Sequence, residues 1–248
     1  MISLKSAPCV MLALPLALLA VTGAEATSIN NVVFVMAADG GVTTSGWVSE
    51  KDFVEDTIQN VLPLDVTKVG VVKFSTNTVT AISNDPLNLS TQSNMVSTVA
   101  GLTFDAQYTY MSDGILAGIH ELDAASTPGD TKLMILISNG RPNPSTAQNP
   151  CGTTSEALTI RSDLSSQNIS VLNVMVGPDP ATATLGCLVG YDPNKTVGIA
   201  DAGALLSAAF APSEPVSSAP EPGAFGLAAG VLGMLAFGGC AGRARVKG

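Results

Sequence analysis

Four short, predominantly apolar runs constrain the fold of this chain more than any other feature of its sequence. They lie at Val32–Met36, Val69–Phe74, Leu133–Ile137 and Val171–Val176. Runs of this length that are apolar on both faces are typical of parallel strands covered by helices on each side. The segments between them are long enough for crossover helices. The sequence therefore predicts a mostly parallel α/β sheet.

Helical spacing of apolar residues predicts the connecting elements. The first helix is expected to begin near Ser49, and Lys195–Ala200 is expected to form a final short strand. The inner faces of four helices are predicted to carry Phe53, Val54, Ile58, Val61 and Leu62, then Ile115, Leu116, Ile119 and Leu122, then Leu158, Ile160 and Leu164, and last Leu205, Leu206 and Phe210.

One segment departs from the parallel pattern. Thr78–Ala81 alternates polar and apolar residues, and only Ser75–Asn77 separates it from the preceding run. A link this short implies an antiparallel neighbour at the edge of the sheet. The predicted fold is a three-layer α/β/α sandwich, with a mostly parallel central sheet and one antiparallel edge strand. Ligands bind such sheets beyond the carboxyl ends of the strands, which here selects the loops Ala37–Gly46, Phe104–Met111, Ser138–Pro144 and Gly177–Gly186.

Both ends of the chain are predicted to lie outside this domain. Residues 1–26 combine Lys5, an apolar stretch and a small-residue end at Ala24–Ala26, the pattern of a secretory signal peptide. The domain is expected to cover residues 27–211, followed by a Pro- and Ser-rich linker at 212–219. Residues 223–242 are apolar and about long enough for a transmembrane helix. Arg243 and Arg245 follow this segment, so its far end is expected to remain cytoplasmic.

The last 29 residues, 220–248, also resemble a known sorting signal. Pro220-Glu221-Pro222, one apolar helix and an Arg-rich end are similar to the PEP-CTERM signal of Gram-negative bacteria. The resemblance implies processing by the membrane enzyme exosortase and anchoring in the membrane before that step. It also implies a location in the Gram-negative envelope, on the cell surface or in the extracellular matrix, with a transient or permanent anchor.

Cysteine usage agrees with export. Cys9 and Cys240 fall in the two terminal segments, which leaves Cys151 and Cys187 in the domain. Two cysteines in an oxidising compartment usually form a disulfide, although two separate thiols are the alternative. The formal net charge of −9 and the absence of a Lys/Arg cluster within the domain argue against a nucleic-acid partner.

The domain itself resembles a known family. The segments "VVFVMAADGGV", "VGVVKFS", "YTYMSDGILAGI" and "LMILISNGRP" follow one another in an order similar to that of von Willebrand factor A (VWA) domains. The resemblance runs from about Asn31 to Ala211. It implies a metal-ion-dependent adhesion site (MIDAS), in which one loop gives Asp-x-Ser-x-Ser, a second gives Thr and a third gives Asp.

This chain departs from that pattern. Ala37 and Gly41 stand at positions for Asp and Ser and have no side-chain oxygen, while Asp39 stands at the other Ser position. Thr109 agrees with the pattern, and Asn139 replaces the final Asp. In one interpretation, Asp39, Thr109 and Asn139 bind Mg²⁺ or Ca²⁺ weakly, with several waters.

In the favoured interpretation, the site no longer binds a metal and no cofactor is expected. One carboxylate and two neutral oxygens make a weak cage for a divalent ion. Asp39 is then expected to make turn hydrogen bonds, while Gly40 and Gly41 allow unusual backbone angles.

Three function classes remain after these observations. The favoured one is non-enzymatic adhesion or binding to an unidentified protein or matrix partner, with Trp47, Tyr108, Tyr110 and Arg141 as candidate contacts. Trp47 could equally pack on the first helix. The alternative is a structural envelope or matrix component without a ligand. An exported hydrolase is less favoured, because the chain has no GxSxG or Walker motif and its single histidine, His120, lies in a helical segment.

Overall fold

A computed structural model describes residues 29–142, 148–177, 180–190 and 192–211 of the chain. The predicted signal peptide, the linker at 212–219 and the predicted sorting signal lie outside these residues. Within the described ranges, no helix has both the length and the apolar character needed to cross a membrane.

The core of the fold is a six-stranded sheet in the order β3-β2-β1-β4-β5-β6. All neighbouring strands run parallel except β2 and β3, which are antiparallel as the sequence predicts. The strands are β1 (Asn31–Ala37), β2 (Lys68–Phe74), β3 (Thr78–Pro86), β4 (Lys132–Ser138), β5 (Ile169–Met175) and β6 (Thr196–Gly198). β1 and β4 are buried along their whole length, which explains their unbroken apolar runs.

Five α-helices cover the two faces of the sheet. Helices α1, α2 and α5 pack together on one face, while α3 and α4 pack together on the other. The helices are α1 (Thr43–Asp56), which continues as a π-helical turn over Thr57–Val61, then α2 (Leu89–Ala100), α3 (Met111–Ala125), α4 (Ser155–Ser166) and α5 (Ile199–Phe210). The predicted three-layer α/β/α sandwich is confirmed.

The first helix begins earlier than predicted, at Thr43 rather than near Ser49. The backbone N–H of Gly46 donates to the Thr43 hydroxyl at 3.3 Å, which satisfies one of the amide donors that the first turn leaves unpaired. The sequence "TTSG" conceals this start because it contains glycine and no apolar residue.

Helix α2 was not predicted from the sequence. Only Met95 and Val99 of this helix are buried, so its apolar stripe is too narrow to reveal a helical period. A capping box starts the helix: the Asn88 side chain accepts from the backbone N–H of Thr91, and the Thr91 hydroxyl accepts from the backbone N–H of Asn88. At the other end of the domain, the predicted strand Lys195–Ala200 is shorter, because Ile199 already begins α5.

The predicted disulfide between Cys151 and Cys187 is present. Cys151 follows β4, and Cys187 lies in the 3₁₀ segment Thr182–Leu188 that follows β5. Both connections leave the sheet at the carboxyl ends of parallel strands. The disulfide therefore joins two of the loops beside the predicted ligand edge.

Candidate functional site

The candidate site lies where the strand order reverses, between β1 and β4 at the centre of the sheet. Ligands of open parallel sheets bind at such a reversal, because the loops after the two strands turn away from each other and leave a crevice. The loop after β1 carries Asp39, and the loop after β4 carries Asn139. The connection from α2 to α3 reaches the same edge and carries Thr109.

Backbone hydrogen bonds hold these loops together. The N–H of Gly40 donates to the carbonyl of Gln107 at 3.1 Å, and the N–H of Ala106 donates to the carbonyl of Ala38 at 3.1 Å. The N–H of Ala181 donates to the carbonyl of Asn139 at 2.8 Å. The loop after β1 is thus joined to the α2–α3 connection, and the loop after β4 is joined to the loop after β5.

An ion pair fixes the loop that carries Thr109. The Lys73 ammonium lies 2.9 Å from the Asp105 carboxylate, which also accepts from the Ser75 hydroxyl at 2.8 Å. Burial raises the pKa of Asp105, but the hydrogen bonds from Lys73 and Ser75 and the charge of Lys73 outweigh it, so that pKa is lowered overall. Asp105 therefore stays ionised and ties the loop to the end of β2.

Asp39, Thr109 and Asn139 converge as the sequence predicts, and all three are buried. Burial raises the pKa of Asp39, while hydrogen bonds from the Gly41 backbone, the Thr109 side chain and the Val42 backbone lower it in part. One oxygen of Asp39, Oδ1, accepts from the Gly41 N–H at 2.7 Å. The other, Oδ2, has no hydrogen-bond partner among the described residues.

Gly40 and Gly41 allow close packing between loops and do not adopt unusual backbone angles. Neither Gly40 nor Gly41 has a positive φ, so the predicted role for their backbone angles was wrong. A Cβ on Gly41 would lie 2.1 Å from Asn139 Nδ2, and a Cβ on Gly40 would lie 3.3 Å from the Ala106 carbonyl oxygen. Glycine at 41 therefore lets the Asn139 side chain reach the loop.

A second buried carboxylate, Glu50 on α1, lies beside Asp39. The residue is fully buried, and neither of its carboxylate oxygens makes a hydrogen bond of standard geometry within the described part of the chain, although the backbone amide of Ala37 lies nearby. Burial raises the pKa of Glu50 well above its usual range, the charge of Asp39 adds to the rise, and the backbone amide of Ala37 offsets part of it. Ala37, where the motif would have its first carboxylate, is itself fully buried.

Glu50 was not predicted as a site residue, although the spacing of apolar residues around it indicates that it is buried. Trp47, Glu50, Val54 and Ile58 are spaced three, four and four residues apart, which places them on one helical stripe. All four are buried. A carboxylate on an otherwise apolar stripe marks a buried polar site, but the stripe was hidden because the helix was predicted to begin only near Ser49.

The candidate contact residues differ in exposure. Tyr108 is 66% exposed, Arg141 is exposed and Tyr110 is half-buried. The backbone N–H of Arg141 donates to Asn139 Oδ1 at 2.9 Å, so Arg141 is held directly beside the site. Trp47, in contrast, is 3% exposed and stacks on Phe104 with ring centroids 6.3 Å apart. Trp47 is therefore a packing residue and is not presented to a partner.

The family model for the von Willebrand factor type A domain matches residues 31–201, which contain the whole sheet and every residue of the site. The chain belongs to this family. Its resemblance to VWA domains, inferred from four degenerate motifs, is confirmed. No curated protein is similar enough in sequence to count as a match.

Solved structures of other proteins share the fold at low sequence identity. Proximal thread matrix protein 1 of the mussel byssus is 16% identical, with a TM-score of 0.57, and the match covers 74% of this chain and 47% of that protein. The manganese-loaded TRAP protein of Plasmodium vivax is 17% identical, with a TM-score of 0.57, and 75% of this chain and 74% of TRAP are covered. The pilus adhesin SpaC of Lactobacillus rhamnosus GG is 14% identical, with a TM-score of 0.57 and coverage of 73% and 30%.

These matches limit what can be transferred to this chain. It spans about half of the byssus protein and less than a third of SpaC, and at such identities the likeness concerns the fold alone. Another structure of the byssus protein, with a TM-score of 0.53 and 15% identity, has zinc in its MIDAS motif.

The oxygen donors of this VWA site fit a hard divalent cation in part. Among the described residues, no group of three or more His, Cys, Asp or Glu side chains could hold a metal ion. Asp39 nevertheless lies beside the Thr109 hydroxyl and within range of the Glu50 charge, and three oxygens of the two carboxylates make no hydrogen bond of standard geometry among the described residues. Carboxylate, hydroxyl and water oxygens are the ligands that Mg²⁺ and Ca²⁺ prefer.

Proposed function

We propose that this VWA protein is an exported, non-enzymatic surface or matrix protein that binds a protein or matrix partner through the loops at the carboxyl end of its sheet. The observation that carries the proposal is a set of converging, hydrogen-bonded loops with the large aromatic side chain of Tyr108 exposed at its rim. Solved neighbours described as a pilus adhesin and as a byssus thread matrix protein support this class of function by analogy of fold.

Tyr108 and Arg141 form the rim of the proposed contact surface. Tyr and Arg are over-represented among residues that dominate interface energies, because they bury large area and still make directional polar contacts. Tyr108 stands on the loop that Lys73 and Asp105 hold to β2, so its backbone is already ordered before binding. An ordered contact residue loses little conformational entropy when a partner arrives.

The non-enzymatic part of the proposal rests on the side chains of the site. Asp39, Thr109 and Asn139 are buried, and they include no histidine, cysteine or lysine that could act as a general base or a nucleophile. His120, the single histidine of the chain, is exposed on α3.

Substitution of Tyr108 by alanine is expected to weaken binding of the purified protein to the surface of the cells that produce it by at least about tenfold, as for a dominant interface residue. The measurement is a titration of fluorescently labelled protein against whole cells. Leu89→Ala is the matched control, because Leu89 is 77% exposed and lies away from the proposed contact surface. Leu89 begins α2 just after β3 ends, and the end of β3 pairs with the start of β2, at the opposite edge of the sheet from the site. Equal binding by both variants would instead favour a structural component without a ligand.

Export and sorting are proposed from the two ends of the chain. Deletion of residues 220–248 is expected to release the protein from the cell envelope and to abolish its processing by an exosortase-type enzyme. The measurement is immunoblotting of envelope and medium fractions from cells that express the full or shortened chain. A mutant with Arg243 and Arg245 changed to alanine, which keeps the apolar segment, distinguishes recognition of the sorting signal from simple anchoring. If location and size are unchanged on deletion, the sorting proposal fails.

A further inference from the structure

Three buried carboxylate oxygens at the site have no partner in the described structure. They are Asp39 Oδ2 and both oxygens of Glu50. Buried carboxylates are ordinarily paired, hydrogen-bonded or bound to a metal, because loss of hydration strongly disfavours an isolated charge. Two such groups side by side also repel each other. Such a pair either keeps its protons, in line with the raised pKa of both groups, or binds a compensating cation.

The described part of the chain supplies no cation to these oxygens. Its three ion pairs use Lys68, Lys73 and Lys132, whose partners are Asp130, Asp105 and Asp123. None of these pairs involves Asp39 or Glu50. The donors that act on the two carboxylates are neutral: the Thr109 hydroxyl and the backbone amides of Ala37, Gly41 and Val42.

We propose that Asp39 and Glu50 are the two carboxylate ligands of a site for a hard divalent cation. Glu50 approaches the site from helix α1 and replaces the carboxylate that is missing at Ala37. The inference deepens the proposed function, on which it rests, because the site lies beneath the same loops. Thr109 contributes a neutral oxygen and water completes the shell. This revises the expectation from the sequence, which counted only loop residues and found a single carboxylate.

The positions of Glu50 and Ala37 support this replacement. The Glu50 carboxylate lies close enough to the backbone amide of Ala37 to be stabilised by it, so it has reached the end of β1, where the missing side chain would start. Glu50 thus brings a carboxylate to the backbone of Ala37 from a different element of the fold.

Asn139 is not required in this site. Its Oδ1 accepts from the Arg141 N–H, and its Nδ2 faces Gly41. The proposed ligands are therefore two carboxylates and a hydroxyl. This set carries more negative charge than the single carboxylate with two neutral oxygens that the loop residues alone would provide. A second carboxylate strengthens binding of Mg²⁺, Mn²⁺ or Ca²⁺ through its charge.

The test is Mn²⁺ binding to the full chain after removal of metals with a chelator, measured by calorimetry and by the melting temperature. Mn²⁺ is expected to bind the wild-type protein and to raise its melting temperature, because a ligand that binds only the folded state stabilises it. Glu50→Gln keeps the shape but not the charge, and it is expected to weaken Mn²⁺ binding by at least about tenfold. Glu55→Gln, the same change five residues along α1, is expected to bind Mn²⁺ as the wild type does.

A folding defect can be separated from the loss of a ligand. Without metal, Glu50→Gln is expected to melt at or above the wild-type temperature, since it replaces a buried carboxyl that lacks a good partner with a neutral amide of the same shape. If Glu50→Gln proves poorly folded, Glu50→Asp provides the second test, with weakened rather than abolished Mn²⁺ binding expected.

Two outcomes overturn the inference: no Mn²⁺ binding to the wild type, or equal Mn²⁺ binding by the wild type and Glu50→Gln. Neither depends on the cell-binding assay with Tyr108→Ala, so failure of the cation site and failure of the proposed function are distinguishable.

Discussion

Replacement of both Cys151 and Cys187 by serine is expected to lower the free energy of unfolding by about 4 kcal/mol in the chain-entropy account of disulfides. The two cysteines are 36 residues apart in sequence, so their bond removes many conformations from the unfolded chain. The measurement is urea unfolding of the purified protein under oxidising conditions.

Reduction provides the matched control for this prediction. A reducing agent should shift the urea midpoint of the wild-type protein to that of the double variant, and it should leave the double variant unchanged. Because the disulfide joins the loops after β4 and β5, we also expect faster amide hydrogen exchange in those loops of the variant. Identical midpoints for the oxidised wild type and the double variant would contradict the predicted contribution.

Gly114→Ala is expected to destabilise the protein by about 2 kcal/mol, the usual cost of forcing extra volume into a packed core. Gly114 lies on the buried face of α3, and a Cβ at this position would lie 2.6 Å from the ring of Phe74. The neighbouring groups belong to β2, so relief requires movement of the helix away from the sheet. Thermal or denaturant unfolding measures the change.

Gly203→Ala is the matched control for Gly114→Ala. Gly203 lies on α5, and a Cβ there would have nothing within 4 Å. The same substitution is therefore expected to stabilise the protein by roughly 0.5–1 kcal/mol, because alanine favours the helix and restricts the unfolded chain. If both variants change stability in the same direction, close packing of α3 on the sheet is not what requires glycine at 114.

The parallel strands could be predicted because their signal is local. β1 and β4 are buried on both faces, so nearly every residue is apolar and the boundaries are visible in the sequence. Thr78–Ala81 was also recognisable, since its alternation and short link to β2 require no long-range information. Helix α2 was missed for the opposite reason: it rests on the edge of the sheet through only two buried side chains.

The candidate site was only partly predictable. The positions of Asp39, Thr109 and Asn139 follow from the order of motifs, because the carboxyl ends of neighbouring parallel strands meet at one edge. Glu50 comes from the interior of a helix, and its approach to Ala37 depends on how α1 lies against β1. That contact is a property of tertiary packing, which no motif spacing within a loop describes.

Beneath the loops at the carboxyl end of the sheet, Asp39 and Glu50 are proposed to form a cation site. Anomalous diffraction at the manganese edge, from crystals of the protein grown with Mn²⁺, tests it most directly. The account predicts an anomalous peak within roughly 2.5 Å of oxygens from Asp39, Glu50 and Thr109, the range for hard divalent cations. The absence of a peak at this edge, or a peak that the Glu50 carboxylate does not contact, would contradict it.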